Sequence, residues 1–174
     1  MMKQLALLLL AMAGALSLRA QQTTIYTEAN RAYKQGTEFL DQGLLGQAQE
    51  AYKQAIDLLL PVNESAANLL RTKAEFGYAK CAVQRNLPDG EKLILDFIRD
   101  HAPDPLATEA LVEVANYYYN AEQYDKAITY YAQVPTTGMS KEKRAEVRFR
   151  MGYSFFVQKK FAQAKNNFKE IGRK

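Results

Sequence analysis

Histidine and cysteine occur once each in these 174 residues, as His101 and Cys81, and tryptophan is absent. One cysteine closes no internal disulfide, and with one histidine it cannot complete a four-ligand zinc site. A Ser-His-Asp triad needs a histidine among other catalytic groups, whereas His101 falls at an expected helix end, where a cation suits the helix dipole. The nine glycines form no phosphate-cradling loop, and neither His-Glu-x-x-His nor Gly-x-Ser-x-Gly occurs. Asp96 and Asp100, spaced i,i+4, suit a solvated helix face. No catalytic residue, metal site or cofactor is therefore expected, and the chain is not read as an enzyme. Charge of one sign is also scarce: the formal net charge is +4, and Lys3 and Arg19 supply two of those charges. That leaves little basis for a nucleic-acid partner. Cys81 reads as a small buried helix residue, with an intermolecular bridge or reactive thiol as the other reading.

Only one long apolar run is present, Leu5 to Leu18. It follows Lys3 and leads into Leu18-Arg19-Ala20, the layout of a secretory signal peptide over residues 1–20. At about 14 residues the run falls short of the roughly 20 that span a bilayer, so an N-terminal membrane anchor is the second reading. Cleavage is expected after Ala20, with Ser17 as the other site. No cysteine follows to accept a lipid. Residues 21–28 read as a flexible lead-in.

What the chain has in abundance is a recurring spacing. A small residue is followed at +3 by an aromatic, at +12 by Ala and at +16 by another aromatic. The sets are Gly36, Phe39, Ala48, Tyr52; Ala115, Tyr118, Ala127, Tyr131; and Gly152, Phe155, Ala164, Phe168. Apolar residues at 3- and 4-residue steps predict helices near Ala29–Asp41, Leu45–Leu60, Ser65–Asn86, Glu91–His101, Leu106–Asn120, Gln123–Val134, Lys141–Gln158 and Phe161–Ile171. Gly43, Pro61, Pro88, Pro103, Pro105 and Pro135 punctuate them. One repeat departs from the pattern. Phe76-Gly77-Tyr78 echoes Met151-Gly152-Tyr153, but Leu93 stands at +16 from Gly77, as a four-residue insertion in the turn would explain.

The spacing resembles the tetratricopeptide repeat over about Ala29 to Lys174. The resemblance implies an all-α, right-handed α-solenoid of antiparallel helix pairs, with about four repeats at 29–62, 63–105, 106–140 and 141–174. It also implies that the partner is a protein or extended peptide. In such proteins the inner wall is lined by first-helix positions at −6, −3, +1, +4 and +5 from the small residue. Carried onto this chain, these are Asn30, Tyr33, Thr37, Leu40 and Asp41; Glu109, Val112, Asn116, Tyr119 and Asn120; and Glu146, Phe149, Tyr153, Phe156 and Val157. From these the candidate protein-binding groove is Tyr33, Thr37, Leu40, Val112, Asn116, Tyr119, Asn120, Phe149, Tyr153 and Phe156. The same rings would equally serve as packing between neighbouring helices. Members that grip a terminal carboxylate place a Lys where Tyr33, Val112 and Phe149 stand, so that activity is not implied here.

Together with the signal sequence, the resemblance implies an exported scaffold in the periplasm or at the outer-membrane periphery of a Gram-negative bacterium. A solute- or glycan-binding accessory subunit using the same wall is the alternative. Phe155, Phe161 and Phe168 suggest a stacking surface that further repeats or a capping partner would cover.

Overall fold

The computed structural model describes residues 23–172, and the expected signal sequence lies outside them. Eight helices are present among the described residues. We label them α1 (23–41), α2 (Leu45–Leu59), α3 (Ser65–Gln84), α4 (Gly90–His101), α5 (Pro105–Asn120), α6 (Tyr124–Tyr131), α7 (Lys141–Val157) and α8 (Phe161–Ile171). They form antiparallel pairs, α5 packing on α6 and α7 on α8. No described helix is long and apolar enough to cross a membrane. The chain divides into two compact units, Met1–Tyr78 and Ala79–Lys174, with the division inside α3.

In the first unit the core gathers Ala29, Leu59, Val62, Ala67 and Leu70, with Ile25, Tyr26, Tyr33 and Leu58 packed against it. Helix α1 already includes residues 23–28, which corrects the expected flexible lead-in wherever that stretch is described. Ile25 and Tyr26 gain burial on this cluster only if the helix continues back past Ala29. The Thr27 hydroxyl also donates to the carbonyl of Thr23, 2.8 Å away. The crossing of helices centres on Tyr52. A Cβ added to Gly36 would stand 2.9 Å from the Tyr52 ring, and one added to Gly77 2.6 Å from it. The ring thus fills space that only two glycines leave open.

In the second unit, Ala110, Val114, Ala115 and Ala127 are fully buried between helices, as the spacing requires. Gly152 plays the part of Gly36: a Cβ there would lie 2.7 Å from Phe168. Cys81 is fully buried, and burial pushes its thiol up to about 11, so it stays protonated and inert at neutral pH.

All four hairpin turns share one backbone device. Gly43, Asn86, Glu122 and Lys159 each adopt positive φ, between 53° and 74°. The next residue then donates back across the helix end: Leu44 to the Phe39 carbonyl (2.8 Å), Leu87 to Ala82 (3.1 Å), Gln123 to Tyr118 (2.9 Å) and Lys160 to Phe155 (2.9 Å). This bonding caps the last carbonyls of each first helix. The departing repeat keeps the device but lengthens both sides of it. Counted back from Asn86, Ala79 takes the place held by Gly36, Ala115 and Gly152, and two further residues precede α4. The insertion is therefore split between helix and turn. Gly77 instead receives Tyr52. Gly90 opens α4 hard against α3, where a Cβ would lie 2.6 Å from the Ala82 carbonyl.

Two helix ends fall short of the sequence reading. Helix α3 stops at Gln84 because Asn86 turns left-handed. Helix α6 stops at Tyr131, and Gln133 and Val134 tighten into i→i+3 bonds to Tyr130 and Tyr131. Pro135 lacks the N–H that would continue it.

Candidate functional site

The ten groove candidates divide between the units. In the first, Tyr33, Thr37 and Leu40 are half-buried and largely committed to internal contacts. The Tyr33 ring lies 5.7 Å from that of Tyr52. The Thr37 hydroxyl accepts from the Tyr52 phenol at 3.3 Å and donates to the Tyr33 carbonyl at 3.2 Å. These contacts favour the packing reading in this unit.

The second unit presents more open chemistry. Val112, Asn116, Tyr119 and Asn120 share one face of α5, one helical turn or less apart, and Phe149, Tyr153 and Phe156 form the corresponding stripe on α7. Tyr119 meets Tyr153 edge-on at 5.8 Å, and both meet Tyr124, at 6.0 and 6.2 Å. Three tyrosines from α5, α6 and α7 thus form one cluster. Arg150 lies over the Tyr119 ring at 5.4 Å, and its guanidinium is held by Glu146 at 2.7 Å. Burial, then the neighbouring Tyr153, pushes the Tyr119 phenol up, so it stays protonated at physiological pH. Asn116 is fixed from behind, accepting from the Tyr131 phenol at 2.6 Å. Burial holds that phenol protonated and donating. The ring of Phe149 lies 6.1 Å from Phe168 yet is 51% exposed.

Beside this cluster a cleft of about 570 Å³ opens between α5, α7 and the loop before α7. Val112, Val147 and Met139 give it apolar lining; Glu109, Asn116 and Lys143 give it polar edges. Glu113, also on the lining, is tied to Lys80 at 3.1 Å. Such a surface can bind by aromatic contact and polar pairing. Among the described residues, no group of three metal-ligating side chains comes together.

Tyr119 and Tyr153 stand among the groove positions expected from the sequence; Tyr124 and Arg150, which complete the cluster, do not. Tyr124 was findable: it stands nine residues after Ala115, as Leu45 stands after Gly36 and Phe161 after Gly152. It lies on the second helix of its pair, beyond the first-helix positions from which the wall was expected.

Residues 82–140 match the family model described as tetratricopeptide repeat. Among solved structures, a mutant of MamA aligns with a TM-score of 0.50 at 20% identity, over 82% of this chain and 75% of that one. At that identity the likeness concerns the fold alone. Comparison with curated proteins found no match.

Proposed function

We propose that this chain is an exported scaffold that holds an extended segment of another protein against the α5–α7 face. The observation that carries the reading is the aromatic cluster of Tyr119, Tyr124 and Tyr153 beside the cleft, with Phe149 half-exposed next to it. Tetratricopeptide-type repeats as a class bind protein partners, and neutral rings beside paired charges suit a peptide of mixed character. The arrangement argues against a sugar ligand. The three tyrosines turn edges toward one another at 65° to 76°, which leaves no broad shared ring face for a pyranose to lie on.

Export rests on the residues 1–20 pattern, and the periplasm or outer-membrane periphery is the compartment proposed. N-terminal sequencing of the exported protein should begin at or near Gln21; an intact Met1 on a membrane-bound protein would sink this part. For binding, a partner captured from envelope extract is titrated calorimetrically against Tyr119→Ala and Lys141→Ala. The tyrosine change should weaken binding by at least about tenfold, and the lysine change by much less. The opposite order, or retention of the chain by glycans in place of protein, would overturn the reading.

A further inference from the structure

Within the second unit, one pair of helices shows how it receives the next helix. Tyr153, one residue after Gly152 on α7, seats its ring on Tyr119 of α5 and Tyr124 of α6. Those two stand four and nine residues after Ala115 and meet at 6.0 Å and 76°. On α7 and α8 the same two places, four and nine residues after Gly152, hold Phe156 and Phe161. Their rings meet at 5.7 Å and 63°, nearly the same geometry. Tyr119 and Tyr124 are half-buried beneath Tyr153, whereas Phe156 and Phe161 are 53% and 59% exposed. Among the described residues the socket is formed and its aromatic pair is left uncovered.

Charge says what would fill it. From Lys141 onward eleven Lys and Arg stand against three Asp and Glu, while residues 1–140 hold twelve against sixteen. The last helical pair is thus strongly basic in a chain of modest net charge. Lys159, Lys165 and Lys169 are exposed on α8 and its turn. We propose that Phe156 and Phe161 form a docking socket for an acidic amphipathic helix of a partner protein, which seats an aromatic side chain as Tyr153 is seated on Tyr119 and Tyr124. A second copy of the chain matches less well. Its α1 offers Thr37 at the place of Tyr153, already bonded to Tyr52, and its α7 carries five basic residues against two acidic ones. The proposal takes the contact of Tyr153 with Tyr119 and Tyr124 as a packing template and does not require the α5–α7 face to bind a partner.

The test uses the full chain and a synthetic probe, a peptide of the α7 sequence bearing Lys141→Glu, Lys143→Glu and Arg144→Glu, followed by fluorescence anisotropy. This acidic peptide should bind at least about tenfold more tightly than the unmodified one. Tyr153→Ala in the peptide and Phe161→Ala in the protein should each weaken binding about tenfold. Because Phe161 is mostly exposed, its loss should leave the fold intact, as circular dichroism would check. Lys165→Glu with Lys169→Glu should weaken the acidic peptide alone. Glu109→Lys, in the cleft, should leave peptide binding unchanged, so a failure of the groove reading stays separate from a failure here. Four outcomes would overturn the proposal: no saturable binding, indifference to Phe161→Ala, equal weakening by Glu109→Lys, or Phe161-dependent dimers seen by light scattering without peptide. Phe161-dependent binding to phosphatidylglycerol vesicles, with no response to the peptide, would assign the surface to lipid instead.

Discussion

Ala127 illustrates how little room a helix crossing leaves. It is fully buried on α6, twelve residues after Ala115, and any larger side chain must displace a neighbour. Ala127→Leu should destabilise by roughly 1–3 kcal/mol in urea unfolding, and a midpoint equal to the parent's would show that the repeat register is wrong. The turn residues make the opposite case. Glu122 and Lys159 hold positive φ with side chains that disfavour it. The left-handed region costs such residues about 1–2 kcal/mol, and glycine's extra chain entropy takes back roughly 0.5–1. Glu122→Gly and Lys159→Gly should therefore each stabilise by up to about 1 kcal/mol, whereas Gly43→Ala should destabilise. Glu91 adds a titration. It accepts from the Tyr130 phenol and pairs with Lys126 at 3.1 Å, and these partners hold its carboxyl below the usual range. A lowered folded value means its stabilisation is present above the ordinary carboxylate pKa of about 4.3 and is lost as pH falls through the folded value. The side chain is 39% exposed, so the contribution is at most about 1 kcal/mol. Unfolding of Glu91→Gln should differ from the parent at pH 7 and converge with it as pH falls through the folded value.

At the scale of elements, helix positions were legible because apolar steps of three and four residues mark a buried face whichever neighbour covers it. Seven of the expected helix starts lie within one residue of those observed. The start of α1 was not legible, since Thr23 and Thr24 dilute the pattern just where Ile25 and Tyr26 extend it. Nor was the end of α6, where the apolar face runs on to buried Val134 while the backbone has already tightened ahead of Pro135. Within the groove, positions counted from the small residue were readable, but the direction each ring faces was not. Thr37 and Tyr33 turned out to serve Tyr52. Burial also ranks the helices. Helix α6 buries Ala127, Tyr130 and Tyr131 in eight residues, while α8 buries only Ala164 and Asn167 in eleven. Amides of α8 should accordingly exchange with solvent faster than those of α6. Equal protection would mean that something covers α8 in solution.

For the whole molecule, a single net charge concealed the most useful electrostatic fact. A formal +4 averages a basic last pair of helices with an acidic remainder, and counting by repeat would have separated them. The division into two units was hidden for a related reason: the spacing marks where repeats recur, not where they lean on one another. Tyr52 shows the difference. Its ring belongs by pattern to a repeat ending near Pro61, yet its second face is closed by Gly77 on the following helix. A gene segment copied at Pro61 would carry the ring away from half of its seat. The seat of the ring is a hairpin together with the opening of the next helix, both within the unit that ends at Tyr78. Ring and both glycines are then free to drift only in concert. Grafting or duplicating this stretch at the boundary the spacing suggests should yield an array with a gap at every joint.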